Sequence, residues 1–180
     1  MDTQPRADAP LLQGFPPVAA HDARVLVLGS MPGVASLEAN RYYAHPRNAF
    51  WPIMGALVGA DPALPYARRL ARLKDAGIAL WDVLDRCERA GSLDSAIVDA
   101  TAQANDFATF FQRHSKLTTV LFNGAKAEAA YRRFGPPLES FGLRGCRLPS
   151  TSPANASVAS ANKKAAWREA LQAAGIATSE

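Results

Sequence analysis

The chain has 180 residues, of which 48% are hydrophobic, and it carries a formal net charge of +4 with a pI of about 9.3. This length fits one domain better than two, and the hydrophobic share is ordinary for a protein with a sizeable core. No apolar run approaches the roughly 20 residues that cross a bilayer, so no membrane association is predicted.

The N-terminal segment is rich in proline and lacks the basic start and apolar stretch of a secretory signal. We therefore predict a flexible arm over residues 1–20 and a single α/β domain over residues 21–176. The only cysteines, Cys87 and Cys146, give neither a metal-ligand spacing nor a disulfide framework. These features predict a protein of the reducing cytoplasm.

The basic residues fall into separate groups, and this distribution has two interpretations. Separate groups could follow a phosphate backbone, or they could belong to solvated helix faces. The sequence does not decide between these interpretations. The groups are Arg68, Arg69, Arg72 and Lys74; Arg132 and Arg133; Arg144 and Arg147; and Lys163, Lys164 and Arg168.

Four short apolar runs predict β-strands. The first three are nearly continuous in apolar residues, which is typical of parallel strands that are covered on both faces. The fourth alternates, which indicates a weaker strand at an edge of the sheet. The predicted strands cover residues 24–28, 77–81, 118–122 and 143–148.

Helical patterns lie between and after these strands. Asp106 is a suitable N-cap, and Gly135 followed by Pro136 is a stop signal. The alternation of strands and helices predicts a three-layer α/β/α fold with a central, mainly parallel four-stranded sheet. The predicted helices cover residues 50–58, 66–75, 106–114, 125–134 and 155–175.

The loops that follow the four predicted strands are polar or turn-forming. Ligands of such sheets bind beyond the carboxyl ends of the strands, so we expect these loops to form one pocket. The first loop, GSMPG, has neither the P-loop nor the dinucleotide-binding pattern, and Ser30 is not in a GxSxG elbow. No HExxH motif or Cys/His cluster is present either. The sequence thus predicts no metal and no cofactor. Hydrogen bonding, stacking and backbone dipoles are the interactions that remain for binding a ligand.

Two motifs resemble those of the uracil-DNA glycosylase superfamily. VLVLGSMPG and YYAHPRNAFW form the first site region, and LPSTSPAN near the C-terminus forms the second. The AHPxNxFW element is similar to that of the mismatch-specific uracil-DNA glycosylases of bacteria. The combination of GSMPG with YYAHPRNAFW and LPSTSPAN most resembles the hypoxanthine-DNA glycosylase branch, also called DNA-deoxyinosine glycosylase. The resemblance extends from about Val25 to Trp167, and it implies a glycosylase-like domain.

The chain departs from many relatives at two positions. Met31 stands where mismatch-specific relatives carry a catalytic Asn and other branches carry Asp, and its side chain cannot position or activate water. The last motif lacks the His of many relatives. The resemblance to the hypoxanthine branch implies that Asn48 is the catalytic residue. Its amide could orient a water or polarise the base, and capping of the helix at Phe50 is the alternative role.

The resemblance also implies residues that bind the base. Tyr43 aligns with the aromatic position on which relatives stack a flipped base. Asp82 and Asn123 follow predicted strands and could line the pocket or read the purine edge, with turn formation as the alternative for both. The first loop would offer backbone N–H groups to the base or to water, from Gly29, Ser30 and Met31.

A third set of residues is predicted to contact DNA. His45 could bind phosphate or act as an acid, although local hydrogen bonding is the interpretation that we favour. Hydroxyl groups that open the helix near Asn155 would bind phosphate, and the Pro153 segment would fill the duplex after the nucleotide leaves. A Ser-rich capping turn is the alternative for this segment. The predicted set is His45, Ser150, Thr151, Ser152, Pro153 and Asn155.

These features predict a monofunctional DNA glycosylase of base excision repair. It would flip a deaminated base, in first place hypoxanthine, and hydrolyse its glycosidic bond. No lysine lies in a motif, so no Schiff-base lyase step is expected. The alternatives are a mismatch-type uracil-DNA glycosylase, a catalytically silent nucleic-acid-binding relative and a small-molecule nucleoside or nucleotide hydrolase. The predicted partner is DNA with a deaminated base, at the nucleoid in the cytoplasm, without an obligate protein partner.

Overall fold

A computed structural model gives the structure of the chain, and it describes residues 9–180. The strands of this part are, in chain order, β1 (Leu11–Gln13), β2 (Val25–Gly29), β3 (Ile78–Asp82), β4 (Leu84–Arg89), β5 (Ile97–Ala104), β6 (Thr119–Asn123) and β7 (Arg144–Leu148). The helices are α1 (Val34–Ala39), α2 (Phe50–Val58), α3 (Tyr66–Ala76), α4 (Phe107–Arg113), α5 (Ala125–Phe134) and α6 (Ser160–Ala173). Short 3-10 turns lie at Asp94–Ala96 and Leu138–Phe141.

A parallel four-stranded sheet with the order β3-β2-β6-β7 lies at the centre of the fold. This is the sheet that the sequence predicted, and β7 lies at its edge. Leu26 and Leu28 of β2 pack into one hydrophobic cluster with α4 and α5, whereas Val25 and Val27 pack into another with α2, α3 and α6. Alternate residues of a strand point to opposite faces, so helices cover both faces and form three layers.

The helices agree closely with the sequence pattern in the middle of the chain. The bounds of α2 and α5 are those predicted. Helix α3 is one residue longer at its C-terminal end, and α4 is one residue shorter at each end. Asp106 caps α4, because its carboxylate accepts a hydrogen bond from the backbone N–H of Thr109 at 3.1 Å. Within residues 9–180, no helix has the length and apolar character that a membrane crossing requires.

The last helix, α6, begins at Ser160, later than the predicted start near Asn155. The residues before it fold into turns, in which the hydroxyl oxygen of Ser150 accepts the backbone N–H of Ser152, at 3.2 Å. Serine side chains compete in this way with helical hydrogen bonds. The helix N-terminus predicted beside residues 150–152 is therefore absent from that place, and a helix dipole does not contribute to phosphate binding there.

A second, antiparallel sheet with the order β1-β4-β5 was not predicted from the sequence. Strands β4 and β5 carry charged and polar residues, so neither shows the apolar run that marks a buried strand. Their hairpin places residues 90–96 next to the loop that follows β2. The backbone N–H groups of Val83 and Leu84 fix this arrangement by donating to the carbonyl groups of Gly29 and Ser30, at 2.8 and 3.0 Å.

The flexible N-terminal arm predicted from the sequence requires a correction. Residues 1–8 of that arm lie outside the described part. In the remainder, β1 pairs with β4, and the backbones of Val18 and Leu80 exchange two hydrogen bonds, at 2.9 and 2.8 Å. The indole N–H of Trp81 donates to the carbonyl of Phe15 at 3.1 Å. The prolines of this segment thus indicate an extended chain that borders the sheets, and not a loose tail.

Gly29 ends β2 at the point where the central sheet meets Asp82, its partner on β3. A methyl group on Gly29 would overlap Oδ1 of Asp82, and it would lie 3.5 Å from the hydroxyl oxygen of Tyr43. The φ of Gly29 is not positive. The glycine is therefore required for space and not for its backbone conformation.

Gly29→Ala is expected to lower the free energy of unfolding by about 1–3 kcal/mol, because the buried Asp82 side chain has little room to move away. Gly33→Ala is the matched control in the same loop. Gly33 has a φ of −72°, and its new methyl group would meet Ser92 Oγ at an ordinary 3.6 Å. The control should change stability by less than about 0.5 kcal/mol. Urea unfolding measures both, and equal effects would contradict the steric role of Gly29.

Candidate active site

The carboxyl ends of β2, β3 and β6 border a cavity of about 200 Å³, and the loop after β7 forms a further wall. This volume is smaller than that of sites for drug-sized ligands, and it suits a single ring system. The cavity brings together all of the predicted site residues except Asn155. They are Gly29, Ser30, Met31, Tyr43, His45, Asn48, Asp82, Asn123, Ser150, Thr151, Ser152 and Pro153.

Asn48 is half-buried and lines the cavity at the entry to α2. Its Oδ1 accepts the backbone N–H of Phe50 at 2.9 Å. A main-chain N–H can only donate, so this bond assigns the oxygen to the cap and leaves the amide NH₂ for the cavity. The capping role is therefore present, and it does not exclude a role for the amide nitrogen in the cavity. The catalytic role of Asn48 stays a prediction.

The ring of Tyr43 is held by packing against the hydrophobic core. Tyr43 stacks on Phe50, with ring centroids 4.2 Å apart and an interplanar angle of 30°. It has a φ of 54°, in the left-handed region that residues other than glycine rarely adopt. Burial, and then the charge of Asp82, raise the pKa of the Tyr43 hydroxyl, which therefore stays protonated. A rigid, neutral aromatic side chain at the cavity can stack a flat ligand.

His45 lines the cavity and also makes the local hydrogen bond that we favoured from the sequence. Its Nδ1 accepts the backbone N–H of Arg47 at 3.1 Å. In the neutral ring the proton therefore lies on Nε2. The carbonyl of His45 accepts the backbone N–H of Asn48 at 2.9 Å, so this turn also positions the amide of Asn48.

Asn123 and Thr151 connect β6 to the loop after β7 through two hydrogen bonds. The Nδ2 of Asn123 donates to the hydroxyl of Thr151, and its Oδ1 accepts the Thr151 backbone N–H, both at 2.9 Å. The carbonyl of Thr151 accepts the backbone N–H of Ala49, at 2.9 Å. The Asn123 side chain also lies near the Tyr43 hydroxyl, where it opposes the rise that burial causes in the pKa of that hydroxyl. Thr151 is buried and its hydroxyl faces inward, which does not suit the phosphate contact that the sequence predicted.

The loop after Thr151 is fixed by its own hydrogen bonds. Ser152 Oγ accepts the backbone N–H of Ala154 at 3.2 Å, and Asn155 Nδ2 donates to the Ser150 carbonyl at 3.2 Å. These bonds form a serine-rich turn, but it caps no helix, because α6 begins at Ser160 with Ala159 as its N-cap and without a side-chain cap hydrogen bond. Asn155 lies outside the cavity, in an adjoining groove that we call the basic groove because Lys126 and Arg147 line it. The other lining residues of this groove are Ser92 to Ser95, Asn123 to Ala125, Leu148 to Ser150, Ser152, Ala154 and Val158.

Asp82 lies at the end of β3, and only 4% of its surface is exposed. Its Oδ2 has no hydrogen-bond partner among residues 9–180. Burial and then the negative charge of Asp94 raise the pKa of Asp82 to about 7, although the Arg89 guanidinium acts in the opposite direction. Near neutral pH the Asp82 carboxyl group is therefore present in both protonated and ionised forms.

The sequence did not identify three site residues on the β4–β5 hairpin. Asp94 lines the cavity and accepts the hydroxyl of Ser30 at 2.7 Å. Ser92 also lines the cavity. Arg89 is fully buried, and its Nη2 donates to the carbonyl of Pro32 at 2.6 Å. The polar turn AGSLDS could have indicated a hairpin, but only tertiary packing brings it to the first loop.

The loop after β2 offers few free side-chain groups to the cavity, although it lies at the end of a central strand. Met31 is buried and packs into the hydrophobic cluster on the α4 and α5 side of the sheet. The Ser30 hydroxyl is engaged with Asp94. In the part of the chain that the structure describes, no group of three His, Cys, Asp or Glu side chains could hold a metal ion.

Asp82→Asn tests whether the pKa of the buried Asp82 carboxyl group is raised. The folded-state pKa of about 7 lies above the ordinary value of 3.8, so the folded protein binds a proton more readily than the unfolded chain. The stability of the wild type should therefore fall as the pH rises from about 4 to 7. Relative to the wild type, Asp82→Asn should gain roughly 2–4 kcal/mol of unfolding free energy over this range. Urea unfolding at a series of pH values measures the difference.

Asp106→Asn is the control for this titration. Hydrogen bonds from Thr109 lower the pKa of the exposed Asp106 carboxylate, so its contribution to stability is lost as the pH falls. The stability difference from the wild type should therefore have the opposite pH dependence. A pH-independent difference for Asp82→Asn would contradict the raised pKa.

Comparisons with known proteins agree with this geometry. The chain is 37% identical over 161 residues to a hypoxanthine DNA glycosylase of Methanosarcina barkeri. This alignment covers 89% of this chain and 98% of the relative. It is 36% identical over 156 residues to a hypoxanthine DNA glycosylase of Methanosarcina acetivorans. That alignment covers 86% of this chain and 94% of the relative. A solution NMR structure of a candidate uracil DNA glycosylase from Methanosarcina acetivorans superposes with a TM-score of 0.72 and 34% identity, covering 88% of this chain and 98% of that chain.

The family model of the uracil DNA glycosylase superfamily matches residues 16–174. The matched range contains every residue that lines the cavity. The superfamily that the two motifs resembled is thus found independently by family, sequence and structural comparison, and the chain belongs to the uracil DNA glycosylase superfamily.

Proposed function

We propose that the protein is a monofunctional DNA glycosylase that removes hypoxanthine from deoxyinosine in DNA. The position of Asn48 is the observation that carries this proposal. Its amide NH₂ is left for a cavity in which Met31, at the place of the usual catalytic Asn or Asp, is buried in the core. The two Methanosarcina relatives support hypoxanthine as the base, because they share more than a third of their residues with this chain.

The reaction is the hydrolysis of the bond between C1′ of the sugar and N9 of the base. This bond breaks with oxocarbenium character, and negative charge develops on the departing base. Hydrogen-bond donors that face the base stabilise that charge without a change in their own protonation. The NH₂ of Asn48 is such a donor. Water then adds to C1′, and the products are free hypoxanthine and an abasic site.

The base has to leave the duplex to reach the cavity. Tyr43, held against Phe50, would stack the flipped ring on its face. Pro153 lines the cavity beside Ser152, so it is placed to fill part of the space that the base leaves. Uracil excision is the second candidate, since the chain shares the superfamily with uracil DNA glycosylases. Met31 argues against it, because a thioether cannot orient the attacking water.

The basic groove beside the cavity is the proposed path of the DNA backbone. Exposed Lys126 and Arg147 line it together with the loop that carries Asn155. Two other basic residues make structural contacts. Arg69 lies over the ring of Trp51 at 4.6 Å, and buried Lys163 donates to the Asn155 carbonyl at 2.7 Å.

Asn48→Asp should abolish most of the activity while the fold is kept. The carboxylate retains the cap oxygen for the Phe50 N–H but has no hydrogen to donate to the base. Single-turnover excision of hypoxanthine from a duplex oligonucleotide should fall by about 10²–10³-fold. Asn162→Ala, on the exposed face of α6, is the control and should retain the wild-type rate. Full activity of Asn48→Asp would contradict a donor role for Asn48.

The same assay separates the proposed function from its alternatives. Wild-type protein should release hypoxanthine from DNA faster than uracil or xanthine. Faster release of uracil would favour the mismatch-type activity, and binding without release of any base would indicate a silent nucleic-acid-binding protein. Turnover of free inosine faster than that of deoxyinosine in DNA would favour a nucleoside hydrolase.

Arg147→Ala should weaken DNA binding and reduce the slope of log K against log salt concentration by about 1, because one phosphate contact is lost. Arg144→Ala is the matched control, because Arg144 is exposed on the same strand but does not line the basic groove. Fluorescence anisotropy between 50 and roughly 200 mM KCl measures both slopes. Equal slopes for the two variants would place the DNA elsewhere.

A further inference from the structure

The cavity holds one acidic group in its interior that the hydrolysis described above does not use. Asp82 lines the cavity with 4% of its surface exposed, and its Oδ2 has no hydrogen-bond partner within residues 9–180. A buried polar atom without a partner is costly, and native structures retain few such atoms. The protein therefore leaves the Asp82 carboxyl group without full hydrogen bonding at the wall of the cavity.

The carboxyl group is held firmly in place. Asp82 pairs with Gly29 in the sheet, and its Oδ1 occupies the space that a side chain on Gly29 would need. Its carbonyl accepts a hydrogen bond from Nδ2 of Asn105 at 2.7 Å. The Asp82 backbone is thus fixed and its carboxyl group is packed against Gly29, so the carboxyl group stays at the wall of the cavity.

The charges around Asp82 favour a protonated carboxyl group. Tyr42 and Tyr43 face it from the loop before α2, Asp94 from the 3-10 turn, and Arg89 from β4. Both tyrosines remain neutral because burial raises their pKa values. The guanidinium of Arg89 donates to the carbonyl groups of Pro32 and Gly91 and can offset only one of the two carboxylates. A proton removes the remaining charge, which agrees with the raised pKa of Asp82.

We propose that Asp82 is the acid that protonates the departing base at N7, and that Asp94 is a positioning residue that keeps this proton on Asp82. The proposal rests on the hypoxanthine excision proposed above. N7 belongs to the five-membered ring of a purine, and protonation there draws electron density from N9. Uracil has no such atom, so this step favours a purine base.

The proton and electron balance of the step is complete. The proton moves from the Asp82 carboxyl group to N7 as the C1′–N9 bond breaks, and the bonding electron pair stays on N9. Hypoxanthine leaves as the neutral N7–H tautomer, and Asp82 becomes a carboxylate. A water oxygen bonds to C1′, and the proton that this water releases restores the acid form of Asp82, directly or through solvent.

The first test is the pH dependence of single-turnover excision from a deoxyinosine duplex between pH 5 and 9. The wild-type rate should fall with a slope of one proton above about pH 7, where Asp82 ionises. Asp82→Asn should lower the rate by about 10²-fold at low pH and make it independent of pH. Asp94→Asn should shift the fall to lower pH, because the negative charge that holds the proton on Asp82 is lost.

A second measurement identifies the atom that receives the proton. A duplex with 7-deaza-deoxyinosine lacks the N7 acceptor. At pH 6 the wild type should cleave it at about the rate of Asp82→Asn on deoxyinosine, and Asp82→Asn should cause no further loss. Equal wild-type rates on deoxyinosine and its 7-deaza analogue would overturn protonation at N7.

The two proposals fail in different ways. Wild-type excision of hypoxanthine with a flat profile from pH 5 to 9 would overturn the role of Asp82 and leave the proposed function intact. Absence of hypoxanthine release at every pH would overturn the proposed function itself. Asn48→Ala, which removes a different group and adds no charge to the cavity, should lower the rate at each pH and leave the shape of the profile unchanged.

Discussion

The close approach of the Asp82 carboxyl group to Gly29 is the contact on which the arrangement of the site depends. It requires a residue without a side chain at the end of β2, and it keeps an ionisable group at the boundary between sheet and cavity. The Tyr43 hydroxyl oxygen lies beside the same glycine, 3.5 Å from where a methyl group on Gly29 would be. A larger residue at position 29 would separate the central sheet from the aromatic wall of the cavity.

The two motifs and the hairpin contribute different physical functions to one cavity. The first loop supplies space and backbone, because its hydroxyl is engaged with Asp94 and its Met31 lies in the core. The YYAHPRNAFW segment supplies a stacked ring and an amide whose oxygen is committed to α2. The last motif holds the cavity wall together, because Thr151 forms hydrogen bonds both with Asn123 at the end of β6 and with Ala49 before α2. Chemistry is thus concentrated on few atoms, and most motif residues hold them in position.

Burial connects the stability of this fold to its proposed chemistry. A carboxyl group in a low-dielectric site beside a second carboxylate retains its proton near neutral pH, and this weakens the folded state as the pH rises. In the proposed reaction, the same proton is transferred to the departing base. The cost in stability would then be linked to a benefit in catalysis, as is common where titratable groups carry function.

The sequence by itself determined the central layers of the fold. The apolar runs of β2, β3 and β6 were visible because strands buried on both faces need apolar residues throughout, and α2 and α5 were visible because their periodicity and stop signals agree. The candidate pocket followed from the rule that strand ends meet at one edge. Motif resemblance, and not periodicity, selected Asn48 and Tyr43 from the polar residues of that edge.

Only the tertiary structure decided which atoms of these residues face the cavity. The start of α6 depends on serine side chains that compete with the helix. Strands β4 and β5 are too polar, and β1 is too short, for their local pattern to reveal a sheet. The pairing of Asp94 with Ser30 joins residues 64 positions apart. The raised pKa of Asp82 depends on burial and neighbouring charge. These properties arise from contacts between residues that are distant in sequence, so a local sequence pattern cannot predict them.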